Sequence, residues 1–480
     1  MANHGITINE TATSLLSPVE ATAGLPIVVG TAPVNQSKET TIPVNVPILC
    51  YSFAEAVGAF GYSSDWQKYT LCEFMDSHFR QYALKPVVFI NVLNPAEHFT
   101  AVPSASKAVV NRMVTLAEEG ILLNTVVVKD SGGTTTYKKD TDYTLAFNSD
   151  GYVVISLKST VPADTKELSV AYSKLDPGAV DSTDIIGGVS PEGKVTGLEL
   201  IQEVFPRFGL VPGLILAPGY SSDPVVASVM TAKASNINSV FKALALTDID
   251  TTEAKRYTDV PLWKNSNNYT SDMQVPLWPM IKLGEYKYHM STQLAGVIGA
   301  TDAANAGIPS VSPSNKSFKA NGLVLADGTD VLLGLDQSNY LNSQGIVTGL
   351  NFIGGLKAWG NYTAAYPAVT DPKDCFIPIR RMFNWVGNSL VLTYWQKVDD
   401  PMNKRLTQTV VDSINIWLNG LTSSGNLLGG RVEFRAEDNP TTSLMAGVVR
   451  FKIFLTPPGP AQELVMDLEY DTSYLSVLAA

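Results

Sequence analysis

At 480 residues the chain has room for roughly two to four domains, and its 45% apolar and 16% charged composition is that of a folded protein, not a disordered one. A net charge of -11 argues against a coat for nucleic acid, which needs clustered Lys and Arg, and three scattered cysteines without a CxxC pair read as reduced thiols. No apolar run reaches bilayer length, and Met1-Ala-Asn-His-Gly-Ile-Thr-Ile8 has neither the basic region nor the apolar core of a signal peptide, so the expectation is a chain folded in a cytoplasm.

Low charge and a mean hydropathy just above zero favour a protein whose surface is covered in an assembly. Residues 1–22 read as an arm, with Ile6 and Ile8 alternating with Thr7 and Asn9 before Ser17-Pro18 breaks the pattern. Gly24-Leu-Pro-Ile-Val-Val-Gly30 is a short apolar run bounded by Gly and Pro, as in a buried strand. Helical periodicity over 53–84 (Phe53, Val57, Phe60, Leu71, Phe74, Phe79) leads to a second buried strand over 85–93. That β-α-β order begins an α/β layer, residues 23–108.

Over 109–183 the pattern changes. Tyr143, Leu145 and Phe147 alternate with polar residues, Ser149-Asp-Gly151 turns the chain, and Val153, Ile155 and Leu157 alternate again, followed by Leu168, Val170 and Tyr172. Such alternation with glycine turns predicts an inserted antiparallel β domain that projects from the body. Mixed α/β patterning returns over 184–370. It includes a helix over 198–208, a strand over 212–219, a helix over 223–236 with Asp223 as N-cap and Pro224 at its first position, a strand over 241–246, a helix over 284–301 and a loop over 303–315. The fold class is therefore an α/β (α+β) core built from N- and C-terminal parts of the chain, with an inserted β domain and extended terminal arms.

Templates for catalysis fail in turn. Four histidines show no HxxxH or HExxH spacing, Gly193-Lys194 is followed by Val195 and so makes no phosphate loop, and no GxGxxG follows a strand. Gly219-Tyr-Ser-Ser-Asp223 sits where a nucleophile elbow would, but lacks the closing glycine and reads as a capped strand-to-helix turn. The expectation is no enzyme, no cofactor and no metal.

Residues 371–461 hold the most organised pattern. In 401–421, Leu406, Val410, Val411, Ile414, Trp417, Leu418 and Leu421 share one helical face, while Lys404, Arg405 and Gln408 lie off it. Lys404 and Arg405 fall in the first turn, where the helix dipole disfavours positive charge. One reading has Asp399 and Asp400 neutralise them. The other notes that five cations (Arg380, Arg381, Lys397, Lys404, Arg405) against those two aspartates leave a local surplus of three in an acidic chain, which suits an acidic partner surface. After the break Pro457-Pro-Gly-Pro460, in residues 462–480, Leu464, Met466, Leu468 and Tyr470 alternate with Val465, Asp467 and Glu469. This reads as a terminal apolar strand that needs a sheet in its own chain or in a neighbour.

The order of these features resembles the C-terminal region of contractile tail sheath proteins from bacteriophages and related injection machines. It runs from the paired arginines of Cys375-Phe-Ile-Pro-Ile-Arg-Arg-Met-Phe-Asn-Trp385 through the amphipathic helix, a Gly-rich turn and a strand to the final apolar strand. Gly24–Gly30 resembles that family's first core strand, Thr196–Gly219 its helix-strand core, and Leu356-Lys-Ala-Trp-Gly-Asn361 its Trp-Gly-Asn motif, with Tyr362 where an Arg is frequent. The resemblance implies a helical homo-oligomer of hexameric rings around an inner tube protein, with baseplate and tail terminator proteins as further partners. It implies no nucleic acid and no membrane insertion, and a place in a virion tail assembled in the host cytoplasm. Lys404, Arg405 and Gln408 become candidate tube contacts. Ile6, Ile8, Leu464, Met466, Leu468 and Tyr470 become candidates for arms that join subunits. Two other readings stand beside it: an α/β enzyme with an inserted β cap and an unrecognised site, and a secreted surface-layer or adhesin-like assembly protein.

Overall fold

A computed structural model describes residues 18–479. Its central sheet has the strand order Gln274–Leu277, Leu244–Asp248, Leu214–Leu216, Pro26–Gly30, Val87–Asn91, Ile48–Cys50, parallel throughout except for the last, which is antiparallel. Every residue of the five parallel strands is buried, because helices cover both faces. Strands buried on both faces show unbroken apolar runs instead of alternation, which is why they are readable in the sequence. The sheet joins strands from 26–91 to strands from 214–277.

The periodic stretch over 53–84 is two helical segments. Phe53–Phe60 ends at Gly61, whose φ of +76° suits glycine and whose added Cβ would lie 2.4 Å from the Pro33 carbonyl oxygen. Helical structure resumes at Thr70–Met75 and continues through a wider turn, Asp76–Gln81. Pro224–Ser235 starts as its sequence requires, with Asp223 accepting from the Val225 N–H. The helix expected from 284 begins only at Met290, after the strand Tyr286–Tyr288, and runs to Ala304.

The inserted segment forms two three-stranded antiparallel sheets, Phe99–Ala108 with Glu167–Leu175 and Val127–Asp130, and Met113–Leu116 with Val153–Leu157 and Tyr143–Phe147. Val114, Val128, Tyr143, Ile155, Val170 and Tyr172 belong to a hydrophobic cluster separate from that of the central sheet. The starting point at 109 needs correction: Phe99–Ala108 pairs with Glu167–Leu175 and belongs to this unit. Nearly all its side chains, among them Thr100, Ala101, Ser104 and Ser106, are exposed, so it carries no apolar alternation and only its backbone pairing reveals it.

Two helices dominate the last hundred residues. Ile377–Tyr394, which holds the paired arginines but for which no helix is expected from the sequence, is mostly buried, and Lys404–Ser423 packs against the hairpin of Gly429–Glu433 and Lys452–Thr456. The expected terminal strand does not form: residues 457–471 lie outside any strand, and Thr472–Ala479 is a 3-10 helix.

Candidate assembly surfaces

The helix Lys404–Ser423 is fixed by its buried stripe and its cap. Asn403 accepts from the Leu406 N–H (2.9 Å), and Val410, Ile414, Trp417, Leu418 and Leu421 are buried. Gly430 of the hairpin lets the strand approach closely, since a Cβ there would stand 3.3 Å from Leu418 Cβ. Asn415 stitches helix to hairpin, accepting from the Val432 N–H (2.9 Å) and donating to its carbonyl (3.3 Å).

Lys404, Arg405 and Gln408 are exposed at the open end of this helix, with Gln408 donating to Asp412 (2.8 Å). Asp400 pairs with Lys397 (3.0 Å), and among the described residues no carboxylate pairs with Lys404 or Arg405. The two cations thus add to the positive end of the helix dipole. The wider surplus read from the sequence is corrected. Arg380 and Arg381 are buried, Arg380 against Asp374 (3.1 Å) and Asp272 (3.4 Å), Arg381 in a bidentate pair with Asp302. Burial of arginines is invisible in a local charge count. Sequence reasoning also passed over exposed Trp395, Val398 and Met402 on the preceding loop, and a groove of about 600 Å³ lined by Met402, Lys404, Gln408, Val411, Phe434 and Leu444.

The hairpin turns Arg431, Glu433, Lys452 and Phe454 outward. The Arg431 guanidinium sits 4.2 Å from the Phe454 ring and binds Glu433 (2.6 Å). Among the described residues neither outer edge of this two-stranded sheet has a strand partner. Leu464, Met466, Leu468 and Tyr470 are 75%, 80%, 99% and 75% exposed, and the Tyr362 hydroxyl donating to Gln462 (2.8 Å) holds only the root of the tail. The option of a sheet within the same chain is thereby corrected for the described residues, among which the tail meets none. Ile6 and Ile8 lie outside the described residues.

Strand order in the central sheet reverses beside Pro26–Gly30, the place where doubly wound sheets bind ligands. Here the N-terminus of the helix Met290–Ala304 is already filled by the chain's own carboxylates. Asp248 accepts from the Ser291 N–H (3.0 Å), the Ser291 hydroxyl (2.5 Å) and Ser221 (3.1 Å), and Glu73 accepts from the His289 N–H and Nδ1 (2.7 Å each). Ser221, in the elbow-like turn, is wholly buried and spent on Asp248. Burial pulls the His289 pKa down, but Glu73 and Asp248 outweigh it and hold the pKa up at about 9. The imidazole is therefore a paired cation and not a base poised near neutrality. Among the described residues no cluster of His, Cys, Asp and Glu could hold a metal ion, and no helix is long and apolar enough to cross a membrane.

No model of a known protein family matches the chain. It is 29% identical over 469 residues to the tail sheath protein of Burkholderia phage BcepMu, covering 94% of this chain and 93% of that one. It is 23% identical over 302 residues to the tail sheath protein of Escherichia phage P2, covering 62% and 72%. Its fold matches a chain of the anti-feeding prophage helical sheath in its contracted state, with a TM-score of 0.57, 15% identity and coverage of 98% and 100%.

Proposed function

We infer that this chain, a relative of the phage tail sheath proteins, is the structural subunit of a contractile tail sheath. It polymerises helically around an inner tube and contracts from a metastable extended state to drive that tube through a cell envelope. The observation that carries this is the match to a sheath protein along nearly the whole chain. The subunit is a component of a phage tail or a tailocin-like particle. Nothing favours the enzyme reading: the relatives are sheath proteins, and at the crevice where an α/β enzyme binds its ligand the helix N-terminus is already capped by Asp248 and Glu73.

Within that function, the finer assignments are proposals. The open end of the helix Lys404–Ser423 faces the tube, with Lys404, Arg405 and Gln408 meeting an acidic surface; their exposure and lack of carboxylate partners support this. Residues 1–22 form one linking arm, Ile6 and Ile8 included, its end from Val19 bonded to the helix Ile377–Tyr394, and residues 462–480 the other. Leu464, Met466, Leu468 and Tyr470 complete a neighbour's sheet, for which the open edges of the hairpin offer backbone partners. Stacked hexameric rings rest on a baseplate and end at a terminator, assembly takes place in the host cytoplasm, and the inserted β unit projects from the core formed by the remaining domains. Contraction needs no nucleotide, the energy coming from new contacts between cores while the arms hinge. Electron microscopy of the purified protein mixed with its tube protein tests the reading: helical sheaths of extended and contracted form are expected, and a subunit that never coats the tube would overturn it.

A further inference from the structure

Residues 19–23 run along the buried helix Ile377–Tyr394 and are held there by side chains spaced four residues apart. Arg381 donates to the Ala23 carbonyl (3.3 Å) and Trp385 Nε1 to the Ala21 carbonyl (2.8 Å). Ser389 Oγ accepts from the Ala21 N–H (2.9 Å) and Thr393 Oγ1 from the Val19 N–H (2.9 Å). The stripe from Arg381 to Thr393 rises about 18 Å and four residues of chain span at most about 13 Å, so the strap follows the helix with both backbone groups of Ala21 bonded at its middle. Only backbone atoms of the strap are gripped at these four points, and the side chains of Val19 and Glu20 are exposed. The same helix is tied into the core. Arg381 pairs with Asp302 on Met290–Ala304, and Asn384 and Asn388 donate to the carbonyls of Ala243 and Lys242 at the entry to a central strand.

We propose that this stripe is the anchor of the N-terminal arm, with Arg381, Trp385, Ser389 and Thr393 as positioning residues that set where the arm leaves the body and pass its tension to the central sheet. This rests on the reading of residues 1–22 as an arm between subunits. Tension directed along the helix loads all four bonds together, whereas tension away from it opens them singly from Thr393. The anchor therefore resists in one direction and yields in the other.

The test compares Ser389→Ala/Thr393→Val, Thr393→Val alone, the conservative Thr393→Ser and a chain lacking residues 1–17, each assembled on the tube. The first two are expected to melt within a few degrees of the parent, to be cleaved in the strap at least tenfold faster in limited proteolysis, and to give sheaths that fragment on contraction. Thr393→Ser, which keeps the hydroxyl, should restore intact contraction, an outcome that packing alone would not produce. Should the double variant fail to fold, Thr393→Val at the end of the stripe gives the same reading. Intact contraction by the valine variants, while the truncated chain fails to assemble, would overturn the anchor and leave the arm. Normal assembly by the truncated chain would remove the arm and the anchor with it.

Discussion

Deleting residues 463–480 should leave the isolated subunit as stable as before and abolish its extended sheaths. In the isolated chain Leu464, Met466, Leu468 and Tyr470 are at least 75% exposed, so their removal uncovers nothing and the change in stability should stay within about 0.5 kcal/mol. On a neighbour the same four side chains would gain roughly 1.5–3 kcal/mol each, some 6–12 kcal/mol in all. Ordering about eight residues costs roughly 1–2 kcal/mol apiece, some 8–16 kcal/mol. Burial alone thus only about offsets the ordering, and the net strength of the link has to come from backbone pairing at roughly 0.5–1.5 kcal/mol per bond. The joint is then a strand ladder more than an apolar plug. Leu468→Ala should weaken each link by about 2 kcal/mol, near 30-fold, whereas Asp467→Pro, which removes a backbone donor and touches no apolar side chain, should be about as damaging as the deletion. Thermal melts of the subunit and negative-stain measurement of sheath length on the tube check both arms. A deletion that lowers the melting temperature by several degrees, or normal sheaths from either the deleted or the proline variant, would refute the reasoning.

Reversing charge at Lys404 and Arg405 with a double Glu variant should impair coating of the tube while the subunit folds normally, since both are exposed and carboxylates suit a helix N-terminus; the parent's co-sedimentation with the tube should weaken with added salt, and unchanged coating by the variant would exclude the contact. His289 has a folded pKa raised to about 9 from its ordinary 6.5, so its stabilisation is complete below about pH 6.5 and lost as pH rises through about 9; melts of the parent should fall across that window and those of His289→Gln should fall less, and parallel curves would remove the pair from the account. Burial holds the His78 imidazole near 3, so stability should fall as pH drops below 6.5, and His78→Leu should blunt that acid limb in the same melts. Asp302→Asn leaves the Arg381 cation buried without its partner and should cost about 3–5 kcal/mol in denaturant unfolding; a loss under about 1 kcal/mol would show that the pair is dispensable.

What the sequence determined by itself was whatever rests on local pattern. The buried strands Pro26–Gly30 and Val87–Asn91 declare themselves as apolar runs, Asp223-Pro224 as a helix start, and the stripe from Val410 to Leu421 as one face of a helix. Exposure of Lys404, Arg405 and Gln408 followed from the same periodicity. Pairing across long separations was decided only in three dimensions. Phe99–Ala108 is a strand because Glu167–Leu175 lies beside it, not because of its own small and polar side chains. Leu464–Tyr470 has the alternation of a strand and forms none, because a strand exists only where an edge receives it and among the described residues none lies beside this segment. Arg380 and Arg381 look like surface charge until Asp272, Asp374 and Asp302, from 6 to 108 positions away, close around them. Periodicity records which face of an element is apolar, but carries no information on which distant backbone or carboxylate will meet it. Tertiary packing alone decides that.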